Sequence, residues 1–296
     1  GCMQFGGTAD EATSREMYEA CIAKGVTFFD TAHLYTDGKS ETFLGRFAKD
    51  ARESLIIATK AAYAGGAGRA NILSNFDESR ARLGFDMVDI LYLHQWDGHT
   101  PLEESFETLA ELQQAGKIRF IGVSNYAAWQ VMKAQGVASK LGTRIDILQP
   151  MYSLVKRQAE VELLPMALSE GIAVAPYSPL GGGLLTGKYA QGGASGEGRL
   201  VTNDRYAARY GQDWMHRTGA ELAALAREMG HDPATLAVAW AARHPGVTAP
   251  IISARNTKQL APSLAAQDLD LSDEIHARIE ALSIRPAPAT DRSEAG

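Results

Sequence analysis

Five polar residues each close, or nearly close, a different apolar run of this chain. Asp30 ends "VTFFD" and Lys60 ends "SLIIATK"; His94, Asn125 and Gln149 stand at the ends of "MVDILYLHQ", "KIRFIGVSN" and "RIDILQP". Tyr35 follows Asp30 by five residues in "TFFDTAHLYTDGKSETFLG". A carboxylate, a lysine, a tyrosine and a histidine are side chains that acid–base chemistry uses. A charge at the mouth of a buried strand is costly, and a lysine from the next strand can neutralise it. Taken alone, Asp30 also reads as an ordinary acidic loop start, because Asp and Gly are turn formers. Five polar ends on five runs point instead to a fold that gathers strand ends.

Such a fold is legible in the alternation. Strand-like runs occur at 1–5, 26–30, 54–60, 87–95, 117–125, 144–150, 171–179 and 246–253, with amphipathic stretches between them. In "PLEESFETLAELQQAGK", Leu102, Phe106, Leu109 and Leu112 recur at helical spacing, Pro101 suits the first turn and Gly116 the stop. "SREMYEACIAKG" is a second such helix, and another ends at Gly171 before "IAVAPYSP". Eight strand–helix alternations predict an α/β chain folded as a closed (β/α)8, or TIM, barrel. Extra helices are expected before the eighth strand ("GAELAALAREMG", "DPATLAVAWAARHP"), with about two more after it. In a barrel all strand C-termini meet on the face that carries the active site. A doubly wound open sheet is the alternative; its nucleotide-binding form wants G-x-G-x-x-G after an early strand, and none occurs. One domain over 1–285 is expected, with a loose tail at 286–296. The Gly-rich segment 181–212 exceeds an ordinary connection. Five glycines among 192–211, with interspersed arginines, make 190–212 a lid candidate.

Composition narrows the function classes. Lys and Arg total 29 against 35 Asp and Glu, a net charge of −6 with no basic block, which argues against nucleic acid. Cys2 and Cys21 have neither metal nor redox spacing and read as free thiols in a reducing compartment. No run reaches membrane-spanning length and no basic-then-apolar leader precedes the fold, so a cytoplasmic protein without membrane partner or metal is expected. A monomer or weak homo-oligomer acting on a small molecule is the corresponding expectation.

The segments "FFDTAHLY", "IIATK", "DILYLHQWD", "GKIRFIGVSNY", "LQPMYSLVKR", "APYSPLGGGLLTGKY" and "ISARNTKQL" together resemble the aldo-keto reductases over nearly the whole chain, in that family's order. The resemblance implies a catalytic tetrad of Asp30, Tyr35, Lys60 and His94, and NADPH bound without a Rossmann domain. Hydride arriving at a carbonyl carbon leaves charge on the oxygen that must be stabilised and protonated. Tyr35 would give that proton. A free tyrosine has a pKa of about 10; the Lys60 ammonium would favour its phenolate, and Asp30 would hold Lys60. His94 would hydrogen-bond and orient the carbonyl oxygen. Singly, the same residues also read as a structural ion pair, a packed loop tyrosine and a satisfied core histidine.

The resemblance places cofactor contacts at Met3, Ser124, Asn125, Gln149, Tyr177, Ser178, Leu180, Gly182, Lys188, Arg255, Gln259 and Ser263. Asn125 and Gln149 would bind the nicotinamide carboxamide, with Ser124 beside them, and Tyr177 would stack on the ring. "SPLGGGLLTGK" would wrap the pyrophosphate with backbone N–H groups. Gly182–Lys188 also reads as the start of a P-loop, but Tyr189 stands where a magnesium-binding Ser or Thr is needed. Arg255 would take the 2′-phosphate and select NADPH over NADH; a surface arginine at a helix start is the plainer reading. Trp96, Arg205, Tyr206 and Arg209 would shape the substrate pocket. The chain departs from the family at three points. It opens inside the first expected strand, without the usual preceding hairpin, and Pro262 and Ser263 replace an acidic residue and an asparagine near the expected adenine site. Two other readings compete: a barrel aldolase with Lys60 as Schiff base, and a cofactor-bound regulatory subunit like the potassium-channel β subunits.

Overall fold

In the computed structural model the runs between residues 26 and 149 form five parallel strands: β1 (Phe28–Asp30), β2 (Ile56–Ala61), β3 (Val88–Leu93), β4 (Ile118–Ser124) and β5 (Ile147–Gln149). They neighbour one another in chain order, with registers Asp30↔Ala58, Lys60↔Tyr92, Leu93↔Val123 and Ser124↔Gln149. Parallel pairing needs a crossover between strands, and helices supply it: α2 (Lys39–Ala48), α3 (Arg69–Leu83), α4 (Leu102–Gln114) and α5 (Ala128–Lys140), with α1 (Glu11–Ala23) ahead of β1. β3 is buried at every position, as expected of a parallel strand covered on both faces. The structure describes residues 1–189, 200, 203–290 and 292. Contacts group the chain into two units, Gly1–Gln149 with Ser253–Leu260, and Pro150–Ile252 with Ala261–Gly296.

Local chemistry explains the helix limits of the first unit. α1 begins at Glu11, ahead of the expected "SREMYEACIAKG", because the Asp10 carboxylate accepts a hydrogen bond from Thr13 N at 2.8 Å. α4 starts after Pro101 and buries Phe106, Leu109 and Leu112 as the spacing predicts, and Gly116 follows it with φ 67°. α2 and α3 approach closely at Gly45, where a Cβ would lie 2.1 Å from the Leu83 carbonyl oxygen. Cys2, 1% exposed, donates its backbone N–H to Asp30 O at 2.8 Å, and burial pushes its thiol pKa up to about 12.

The second unit holds α6 (Leu163–Glu170), which ends at Gly171 (φ 62°) as expected, and the short strand β6 (Ala173–Val174). The extra helices are present at Asp213–Glu228 and Pro233–Arg243, and Asp273–Glu280 follows the last run. Trp240 stacks on Tyr152 at 5.2 Å in this unit's core.

Six strands form among the described residues, against the eight expected. The first run, 1–5, makes turns and an isolated Phe5–Ala9 bridge, since Gly6 and Gly7 turn the chain back immediately. The last run, 246–253, makes only an isolated Ile251–Tyr177 bridge and single bonds such as Thr248 N to Val174 O. Pro250, lacking an N–H, interrupts any ladder there. Most of the lid segment 190–212 lies outside the described residues, as does part of the 286–296 tail. Of the lid segment, Asp204–Tyr210 is helical. Among the described residues no helix is long and apolar enough to cross a membrane.

Candidate active site

The C-terminal ends of β1 and β2 bring two opposite charges together inside the first unit. Lys60 Nζ donates to both Asp30 carboxylate oxygens at 2.7 Å and to the Thr31 carbonyl at 2.8 Å. The same ammonium lies 3.4 Å from Tyr35 OH. The Lys60 side chain is 0% exposed and that of Asp30 5%, so each charge depends on the other. Burial works against the Lys60 ammonium, yet Asp30 and Tyr35 outweigh it and hold its pKa above the ordinary lysine range. Gln149 Nε2 adds a further donor to Asp30 Oδ2 at 2.8 Å.

His94 follows β3 and is buried beside this cluster. Its ring meets Tyr35 edge-on at 5.9 Å and Tyr63 at 5.0 Å. Burial, reinforced by the Lys60 charge, lowers its pKa to about 3, so the imidazole is neutral near pH 7. Its Nδ1 is buried and has no protein partner among the described residues. After β4, Asn125 adopts a left-handed backbone (φ 59°), which Asn tolerates. Its side-chain N–H donates to the His94 carbonyl at 3.0 Å and to Ser124 Oγ at 3.1 Å, and Ser124 Oγ donates to Gln149 O at 2.9 Å. Thus Asp30, Tyr35, Lys60, His94, Ser124, Asn125 and Gln149 form one connected cluster. The amide nitrogens of Asn125 and Gln149 are already engaged by protein acceptors.

The remaining first-unit candidates make other contacts. Trp96 packs edge-on against Tyr126 (5.2 Å) and Trp129 (5.6 Å). Arg255 and Gln259 bracket the start of the helix Thr257–Ala265, where Gln259 Oε1 accepts the Arg255 backbone N–H at 3.3 Å. Met3 is half-buried in the opening turn. In the second unit, Tyr177 bridges Met151 and Ile251, and Ser178 (φ 60°) and Leu180 lead into the turn Gly181–Thr186. Gly182 and Gly183 have φ of 66° and 98°, and a Cβ on Gly182 would meet the Tyr206 ring at 2.8 Å. Lys188 lies over the Tyr189 ring and Arg209 over that of Tyr206, while Arg205 is exposed at the start of Asp204–Tyr210. Ser263 is buried, and its hydroxyl has no partner among the described residues.

Three contributors escape a reading of the strand ends. The Thr31 carbonyl is backbone and leaves no mark in the sequence. Tyr92 is fully buried within β3, its ring 5.8 Å from Lys60 Nζ, and burial with Asp30 raises its pKa well above the usual tyrosine range. Glu41, also fully buried, pairs with Arg82 and accepts from Thr59 Oγ1 at 2.6 Å. The signal for Glu41 was available: it shares a helix face with Leu44 and Ala48, both buried.

The family model "Aldo/keto reductase family" matches residues 1–284. The uncharacterized oxidoreductase YrpG of Bacillus subtilis is 33% identical, the match covering 100% of this chain and 94% of the relative. A probable voltage-gated potassium channel subunit beta of Oryza sativa subsp. japonica is 32% identical, covering 94% of this chain and 89% of its own length. Norsolorinic acid reductase stcV of Emericella nidulans is 32% identical over 93% of this chain and 74% of its own.

Proposed function

Because the chain belongs to the aldo/keto reductase family, we propose that it is an NADPH-dependent reductase of aldehydes or ketones, acting reversibly, with Asp30, Tyr35, Lys60 and His94 as its catalytic residues. The observation that carries this reading is the Lys60 ammonium, held by Asp30 at 2.7 Å and reaching Tyr35 OH at 3.4 Å, beside a neutral His94. The name of the Emericella relative, a reductase, supports the same chemistry.

Each residue then has one task. Tyr35 gives its proton to the developing alkoxide, and Lys60 favours the phenolate left behind. Asp30 and the Thr31 carbonyl fix Lys60. His94, neutral, donates one N–H to the carbonyl oxygen and orients it without adding a second charge beside Lys60. Bound NADPH would supply the hydride. The residues present fit such a cofactor. Gly182 and Gly183 adopt left-handed backbone without a side chain of their own, with Lys188 Nζ 3.0 Å from where a Cβ of Gly183 would lie, and the buried Ser263 hydroxyl and His94 Nδ1 have no partner among the described residues. Met3, Ser124, Asn125, Gln149, Arg255 and Gln259 would hold it; Tyr177, Ser178, Leu180, Gly182, Lys188 and Ser263 keep the cofactor role that the family resemblance implies. Arg255 would bind the 2′-phosphate; Trp96, Arg205, Tyr206 and Arg209 would line the substrate. One domain over 1–285, cytoplasmic residence (supported by two free cysteines) and a monomer or weak homo-oligomer complete the proposal.

The Schiff-base reading is disfavoured, because an amine nucleophile must lose its proton and Asp30 keeps Lys60 charged. A regulatory role is favoured by one observation, the channel-subunit relative; rapid multiple turnover in an NADPH oxidation assay would exclude it. The decisive experiment pairs that assay, across a panel of aldehydes, ketones and sugars, with Tyr35→Phe. The variant should bind NADPH as the parent does and lose about 10²–10⁴-fold in turnover. Retention of more than about a tenth of the parent rate would sink Tyr35 as proton donor.

A further inference from the structure

The turn that carries Tyr35 is strained. Thr36, Asp37 and Gly38 follow it with φ of 50°, 54° and 83°, three left-handed residues in succession. Only glycine enters that region freely, and a β-branched threonine there is an outlier that its surroundings must enforce. Part of the enforcement comes from Thr36 itself, whose Oγ1 donates to Phe5 O at 2.8 Å and accepts Ser40 N at 3.0 Å.

The other part comes from Arg82 on α3. Its Nη1 donates to the His33 carbonyl at 2.8 Å and reaches Glu41 Oε2 at 3.2 Å, while Nη2 donates to Glu78 Oε2 at 3.0 Å. The guanidinium also fills the space a side chain at Gly38 would need: a Cβ there would lie 2.5 Å from Arg82 Nε and 2.6 Å from Cζ. One group therefore grips the chain at residue 33, two positions before Tyr35, and at residue 38, three after it. Its anchor, Glu41, is fully buried and bonded to Thr59, the neighbour of Lys60 in β2.

We infer that Arg82 is a positioning residue for the reaction, clamping the turn 33–38 so that Tyr35 OH is held against Lys60 Nζ. The inference rests on Tyr35 being the proton donor. A purely structural Arg82 would serve only to neutralise Glu41, and its loss would lower thermal stability without touching the chemical step.

Two variants separate these roles. Arg82→Met/Glu41→Gln removes the clamp together with the charge it would strand. Gly38→Ala keeps the ion pair and drives a methyl into the guanidinium. Each is measured for thermal unfolding, NADPH affinity by protein fluorescence quenching, KM and kcat, beside Tyr35→Phe and Arg82→Lys. In both variants kcat should fall about tenfold to a hundredfold, as small misplacements of a reacting group do. KM and cofactor Kd should stay near parental values, and Arg82→Lys should retain part of the lost turnover. If both variants keep kcat within about twofold of the parent while Tyr35→Phe is inactive, the clamp is refuted and the proton donor stands. If Tyr35→Phe itself turns over at the parental rate, the donor assignment fails and the clamp with it.

Discussion

His94 should leave a mark on stability that needs no substrate to detect. Its folded pKa is about 3, against about 6.5 for an unperturbed histidine in the unfolded chain. Between those values the unfolded state binds the extra proton, so the contribution is fully present above about pH 6.5 and is lost as pH falls towards 3, at about 1.4 kcal/mol per pH unit. His244 and His276 are also lowered by burial, so the contribution must be isolated by difference. Urea titrations at pH 7 and pH 5 should show His94→Gln losing less stability on acidification than the parent; equal losses would contradict the burial of a neutral imidazole. Much of the cluster around His94 was legible from residue types, because Asp30, Lys60 and His94 each interrupt an apolar run where burial would otherwise exclude them. What Gln149 does was not legible. A terminal amide suits a ligand or a neighbour equally, and only the fold brings its nitrogen to Asp30.

At the scale of elements, the row Lys60↔Tyr92↔Gly122 across β2, β3 and β4 decides how the cluster is supported from below. The Tyr92 ring occupies the place of a side chain at Gly122, where a Cβ would lie 2.3 Å from Tyr92 Cδ1. Gly122→Ala should therefore destabilise by about 1–3 kcal/mol, the usual cost of overpacking a core, read as a lower urea midpoint with unchanged slope. A neutral substitution would mean that the ring has room to move. The strands from 26 to 149 were readable because parallel strands buried on both faces are long apolar runs. Runs 1–5 and 246–253 looked alike by composition. Whether such a run pairs as a strand depends on the turn at Gly6-Gly7 and the missing N–H of Pro250, which periodicity does not register. The start of α1 shifted for a similar reason: the Asp10 side chain caps a helix that begins at Glu11, three residues ahead of the amphipathic pattern.

At the scale of the molecule, chain length and alternation foretold the α/β class, and the segment order foretold the family. The grouping of Ser253–Leu260 with the first 149 residues was not foretold, since a contact between distant segments has no local signature. The first unit's fold also has a consequence for Cys2. Its thiol is sealed beneath the chain that bonds to Asp30 O and Ser40 Oγ, and a thiol near pKa 12 offers almost no thiolate. Cys21, on α1, is only partly covered. A maleimide added to native protein should therefore consume one equivalent promptly, at Cys21, and the second far more slowly, becoming prompt only in denaturant. Under native conditions the slow uptake of that second equivalent would act as a clock for transient opening of the chain beside Asp30, timing how often the ion pair meets water.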